Sequence, residues 1–149
     1  MKRVFCFLAV TAVSSGCKTH ELTDGRYDFS LTQSIRDDCG LQSSPGIISS
    51  GVLRTTGNVV RINYDFFQIE LDGSYKDSIE SMSLDGSATN VQLDVNGVPC
   101  LLDVVTLHLE ATTDTPTQFA GSMSFSLQAE RPESCICQLW VDYRATLEP

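Results

Sequence analysis

From Gly25 onward, apolar and polar residues alternate with a period of two, broken at short intervals by turn residues, and this pattern constrains the fold more than any other feature. Tyr27, Phe29 and Leu31 share one face of an extended segment, and Val60, Ile62 and Tyr64 share another. The same holds for Ile69, Leu71, Gly73 and Tyr75, for Met82, Leu84 and Gly86, and for Val91, Leu93 and Val95. Leu101, Val105, Leu107 and Leu109 fall on one parity, as do Phe119, Met123, Phe125 and Leu127, and finally Cys135, Cys137, Leu139, Val141 and Tyr143. Successive side chains of a strand point to opposite faces, so each set marks a strand with one buried side, the habit of antiparallel sheets. Gly57-Asn58, Asn96-Gly97 and the stretch Thr113 to Pro116 supply turn chemistry between the strands. Lys76 to Ser81 has room for one helical turn but reads better as a loop. The expected fold class is all-β: a single antiparallel β-sandwich or small up-and-down barrel of eight or nine strands, stapled by disulfides.

A short repeat, Leu71-Asp72-Gly73-Ser74 and Leu84-Asp85-Gly86-Ser87, has a looser echo at Phe119-Ala120-Gly121-Ser122. A contiguous calcium loop needs several oxygen ligands at alternating positions, and one Asp per copy does not provide them. Each Gly instead predicts a place where a strand bends or an aromatic neighbour covers it.

The chain begins with Lys2 and Arg3, an apolar run from Val4 to Val13 that includes Cys6, and the small residues Ser14, Ser15 and Gly16 before Cys17. This is the layout of an export signal over residues 1–16. The run is too short to span a bilayer, which takes about 20 apolar residues, and no later stretch is longer. Ser14-Ser15-Gly16-Cys17 resembles the lipobox of bacterial lipoproteins, with Ser14 where that family usually carries an aliphatic residue. The resemblance covers the leader alone. It implies cleavage before Cys17, a diacylglyceryl group on its thiol together with fatty acylation such as palmitate, and a membrane partner reached through that lipid. Lys18, where inner-membrane lipoproteins of enterobacteria carry Asp, implies sorting to the outer membrane of the cell envelope. Residues 17–24 then form a lipidated N-terminus and tether, and residues 25–149 one β-domain. The seven residues Lys18 to Asp24 reach at most about 25 Å, which keeps the domain near the membrane.

The full chain has a formal charge of -9, and losing Lys2 and Arg3 with the leader takes it to -11. Such a surface disfavours nucleic acid, whose phosphates require clustered cations, and an electrostatic grip on anionic lipid. It serves solubility, with recognition of a basic partner as the alternative. The 133 residues after the leader suit one domain.

Setting aside Cys6 and Cys17, four of the six cysteines remain: Cys39, Cys100, Cys135 and Cys137. An even set in an exported chain predicts two disulfides. On a strand, Cys135 and Cys137 would have Cα atoms about 6.5–7 Å apart, at or beyond bridging distance, so each is expected to bond elsewhere. Cys39 with Cys135 and Cys100 with Cys137 is the preferred pairing, and the exchanged pairing stays open. Either closes long loops and contributes roughly 4 kcal/mol per bond. A metal site is not expected, because the histidines of the exported chain are His20 in the tether and His108.

No catalytic residues are assigned. His108 falls on a parity with Cys100, Leu102, Val104 and Thr106, opposite Leu107 and Leu109, and reads as a surface residue. Nucleophile elbows, metalloprotease helices and phosphate-binding glycine loops are missing from the sequence, and Asp37-Asp38 is an ordinary polar-loop pair. No cofactor is expected. Two functions remain: a non-catalytic envelope module that binds a protein partner through loops or a sheet edge, or a small carrier of an apolar ligand. The carrier resembles lipocalins in strand count, although Gly25-Arg26-Tyr27 has Tyr where that family's opening has Trp. Trp140, opposite Leu139 and Val141, covers the outside of the sheet or marks a contact patch.

Overall fold

A computed structural model describes residues 21–42, 44, 46–76 and 80–149. The leader, Cys17, Lys18 and His20 lie outside the described residues, as do positions 77–79 of the Lys76–Ser81 loop.

The alternating segments form eight strands: β1 (Gly25–Asp37), β2 (Ser50–Thr56), β3 (Val59–Tyr64), β4 (Ile69–Tyr75), β5 (Ser81–Val95), β6 (Val98–Thr115), β7 (Gln118–Gln128) and β8 (Cys137–Leu147). Each pairs antiparallel with its sequence neighbours, and β1 also pairs with β8, so the sheet closes as an up-and-down barrel. The segments around Met82 and Val91 are two halves of one strand, β5, which sets the number at eight. Closure pairs the backbone groups that an open sheet leaves at its edges.

Where β5 halves, the pattern slips. Asn90 takes a left-handed φ of 55°, and the buried side passes from Met82 and Leu84 to Val91 and Val95. On β6 the same change separates Cys100 and Leu102 from Val105, Leu107 and Leu109. The pairing register is unbroken across it, with Thr89 opposite Val104 and Val91 opposite Leu102. Both strands therefore turn over together, and the hairpin beyond them lays its apolar side over one end of the barrel. Leu101 is 58% exposed while Cys100 and Leu102 are buried, which corrects the parity expected from the sequence for this stretch. The hairpin tip, Asn96-Gly97, has positive φ at both residues, the conformation of a type I′ turn. It is tied to the β1–β2 loop by Asn96 N donating to Cys39 O at 3.0 Å and Asn96 Nδ2 donating to Asp38 O at 3.0 Å.

The disulfides lock this end. Cys39 bonds to Cys137 and Cys100 to Cys135, with Cα separations of 5.3 and 5.8 Å. This is the exchange of the preferred pairing, and the ladder explains it. In the β1–β8 register Asp37 faces Leu139, and Asp38 N donates to Gln138 O. One step further, Cys39 meets Cys137. Cys135 lies outside β8, in a 3-10 turn over Glu133–Cys135, from which it reaches the hairpin at Cys100.

The glycines of the repeat mark crowding by the neighbouring strand's backbone, not the aromatic cover expected from the sequence. A Cβ on Gly73 would lie 1.9 Å from Ser83 O, and one on Gly121 would lie 1.9 Å from Glu110 O. Neither obstacle is a flexible side chain, so the neighbouring strand itself would have to move. Gly121→Ala is expected to cost about 3 kcal/mol, measured by denaturant unfolding. The exposed Gly57→Ala is a poor control, because Gly57 needs its positive φ.

The barrel interior is aromatic. Phe29 packs on Tyr64, Tyr143 and Phe119 with ring centroids 5.2, 5.3 and 5.7 Å apart, and Tyr27 lies 5.2 Å from Phe119. These are favourable ring separations. Two of the phenol groups find partners. Tyr64 Oη donates to Ile47 O at 2.7 Å and accepts from Ser49 N at 3.1 Å; Tyr27 Oη donates to Thr23 O at 2.8 Å. Tyr143, deeper in the barrel, has a buried hydroxyl with no protein hydrogen bond.

All four tyrosines are held above their ordinary pKa, chiefly because burial disfavours the phenolate, and Tyr27 is pushed up to about 12. A phenol whose folded pKa exceeds its unfolded value of about 10 stabilises the fold fully below that pH. The contribution is lost as pH rises through the folded pKa. Tyrosinate absorbance is therefore expected to lag behind free tyrosine above pH 10 (roughly, the unfolded value) and then rise together with unfolding. Ionisation of the four rings without loss of circular-dichroism signal would contradict this packing.

Candidate functional site

On the outer wall, the ladder places His108 of β6 opposite Ser124 of β7, Ser124 opposite Trp140 of β8, and Trp140 opposite Arg36 of β1. These four residues form one row across four strands. Facing residues on adjacent strands sit about 5 Å apart, so the Ser124 position separates His108 from Trp140 by roughly 10 Å. The outward side of β7 here is serine at three successive positions, Ser122, Ser124 and Ser126. Short side chains between two long ones leave a furrow. Its volume is about 290 Å³, and its lining includes Thr106, Ser126 and Gln138 besides the four residues of the row.

Trp140 is 46% exposed on one wall of this trough. It sits on the outside of the sheet, beside the serine column. Arg36 is held in place from two sides: its Nε donates to Asp38 Oδ2 at 2.6 Å and its Nη1 to Gln138 Oε1 at 2.9 Å. The guanidinium charge is thus matched by Asp38. Gln138 is oriented by the same contact, which occupies its amide oxygen and leaves its amide nitrogen as a donor. Among the described residues, no protein hydrogen bond engages the side-chain hydroxyls of Thr106, Ser124 or Ser126.

His108 forms the opposite wall. Its Nδ1 lies 2.6 Å from Asp85 Oδ1 and its Nε2 3.7 Å from Glu110 Oε1. Lys76 Nζ donates to Glu110 at 2.8 Å, and that hydrogen bond, with the lysine charge, holds the Glu110 carboxyl below the usual carboxylate range. Asp85, His108 and Ser124 therefore stand in the order of a charge-relay triad on three adjacent strands. The geometry of one is lacking: no hydrogen bond joins His108 to Ser124, and the second imidazole nitrogen faces Glu110. No group of three His, Cys, Asp or Glu side chains among the described residues is placed to hold a metal ion.

The other residues singled out in the sequence have structural partners. Asp37 accepts from Leu41 N and Gln42 N at 3.0 and 2.9 Å and so shapes the β1–β2 loop, while Asp38 pairs with Arg36. A larger but shallower depression, about 670 Å³, runs along the hairpin arm past Gln92, Asp94, Pro99 and Leu101. It offers no aromatic ring and no row of free hydroxyls. Of the trough, the sequence alone singles out Trp140 and His108. Arg36, Ser124, Ser126 and Gln138 escape it, because only the register shows that four strands bring them together. The alternating serines of β7 are the one signal of them that the sequence carries.

The trough lies toward the disulfide end of the barrel, since Trp140 is three residues, or about 10 Å, along β8 from Cys137. The described chain enters at the other end, where Thr23 N donates to Pro116 O. Comparison of the chain with family models, with curated proteins and with solved structures finds no match.

Proposed function

We propose that this chain is a non-catalytic binding module of the bacterial cell envelope, anchored by a lipid on Cys17 and engaging its partner through the outer trough around Trp140. The observation that carries the reading is the half-exposed tryptophan beside a column of free serine hydroxyls. Tryptophan exposed in a concave, polar-rimmed setting is the residue type that dominates binding energy at recognition surfaces. Barrel closure favours this face over the sheet-edge docking anticipated from the sequence, because the strands of the wall are already paired on both sides. A lipid anchor at Cys17 leaves the chain entering the barrel at the end remote from the disulfides, with the trough toward the distal end. The engagement of both His108 nitrogens with carboxylates, instead of with the Ser124 hydroxyl, supports the non-catalytic reading.

The test has two arms. Feeding cells a fatty-acid analogue is expected to label the protein and not its Cys17→Ala variant; label on the variant would sink the anchor. Chemical cross-linking in the envelope is expected to give an adduct with the wild-type chain that Trp140→Ala loses, and an adduct indifferent to Trp140 would sink the trough.

The carrier reading has the closed eight-stranded barrel in its favour. Ring packing across the interior supports a filled barrel instead, with Tyr27, Tyr64, Phe119 and Tyr143 all at 1% exposure or less. An apolar fluorescent fatty acid is therefore expected to show no saturable binding, and stoichiometric uptake would revive the carrier.

A further inference from the structure

We infer that the trough is a saccharide subsite, in which the indole of Trp140 stacks on the C–H face of a neutral pyranose ring while Thr106, Ser124, Ser126 and the Gln138 amide bond its hydroxyls. The inference rests on the trough being the binding surface and names the class of ligand it takes.

The chemistry of the lining selects among ligands. An aromatic face is electron-rich and attracts the polarised C–H bonds of a sugar, just as it attracts the edge of another ring. Around that face the free groups are hydroxyls, which both donate and accept, and an amide nitrogen, which donates. A sugar hydroxyl, itself donor and acceptor, satisfies all of them. An apolar tail would bury these groups unpaired, which is unfavourable. A peptide that binds by strand addition needs a free strand edge, and the strands lining the trough are paired on both sides.

Charge narrows the choice further. The one cation lining the trough beside the tryptophan, Arg36, is already matched by Asp38. The imidazole opposite faces Asp85 and Glu110, and the chain as a whole carries -9. An anionic ligand meets no unmatched positive charge here. A neutral polyhydroxyl ligand needs none. The volume of about 290 Å³ stands at the small end of ligand clefts, which begin near 300 Å³ (a rough bound), and suits one ring with its neighbours running on along the open furrow. Fixing Gln138 through Arg36 and Asp38 sets the amide plane before any ligand arrives, which reduces the ordering cost of binding.

The chain has one tryptophan, so its fluorescence reports on this site alone. The full-length protein is titrated with maltotriose, cellotriose and the β-1,4-linked trimer of N-acetylglucosamine. A saturable change in emission is expected with at least one of them. Ser124→Leu, which fills the floor of the trough and keeps the fluorophore, is expected to weaken that binding about tenfold or more, and Trp140→Ala to abolish it by calorimetry. No saturable change with any of the three overturns the inference, and so does binding that Ser124→Leu leaves intact. A Trp140-dependent cross-link in the envelope together with three negative titrations would retain the binding module and discard the saccharide.

Discussion

Replacing Cys39 and Cys137 together by alanine is expected to lower the stability of the barrel by about 4 kcal/mol. The bond spans 98 residues and joins β1 to β8 at the seam where the barrel closes. Without it the unfolded chain regains the freedom of a loop of 98 residues. Domains of this size are stable by only about 5–15 kcal/mol, so the variant is expected to retain a barrel with a midpoint lowered on the order of 10 °C or more. Its remaining cysteines, Cys100 and Cys135, stay bonded to each other across 35 residues, and among the four domain cysteines thiol titration finds none free. The mixed variant Cys39→Ala/Cys135→Ala removes one partner from each bond. It is expected to expose the thiols of Cys100 and Cys137 and to lose both contributions. If instead the mixed variant kept a disulfide and the first variant lost both, the pairing would be the other one.

Phe119→Ala is expected to cost about 3–5 kcal/mol, whereas Tyr143→Phe, a change at a neighbouring ring, is expected to be neutral or stabilising by up to about 1 kcal/mol. The contrast follows from what each atom touches. The Phe119 ring meets Tyr27, Phe29 and Tyr143 at centroid distances of 5.2, 5.7 and 6.2 Å, and truncating it leaves a cavity in the middle of this cluster. The Tyr143 hydroxyl is buried with no protein partner, so its removal relieves a desolvated dipole and keeps the ring. Tyr64→Phe supplies the control, since it breaks two hydrogen bonds to the β1–β2 loop and is expected to cost about 1–2 kcal/mol. Denaturant midpoints of the three variants measure the order directly. A Tyr143→Phe protein as damaged as Phe119→Ala would mean that the hydroxyl is engaged inside the barrel, as a carrier of small polar-headed ligands would require.

Much of this architecture is legible in the amino-acid sequence, for a simple reason. Period-two alternation reports which side of a strand is buried, and Tyr27, Phe29, Ile62, Leu71, Phe125 and Val141 all fall on the inward face it predicts. Asn96-Gly97 marks its turn because few other dipeptides accept two positive φ values. Alternation misleads where a local event breaks the period. Asn90 is not a turn residue in context, yet its left-handed backbone coincides with the turning over of the outer half of β5 and β6, which puts Cys100 inside and Leu101 outside. The cysteine pairing is misread for a related reason: the alternation makes Cys135-Ile136-Cys137 one strand, but Cys135 belongs to a 3-10 turn and only Cys137 has joined β8. The trough is less legible still. Trp140 and His108 are visible as outward residues, but Arg36 and Ser124 become their neighbours only through the registers of three separate strand pairs.

Occupancy of the Trp140 trough where the protein works tests the proposed function most directly. Hydroxyl-radical footprinting of the chain in intact cells, compared with the purified chain, reads this directly. Leu101, 58% exposed and outside the trough, serves as the internal reference beside Trp140 at 46%. With the trough occupied, Trp140 is expected to be protected in cells relative to Leu101 and to regain its reactivity on purification. Equal reactivity of Trp140 in both settings would contradict that occupancy.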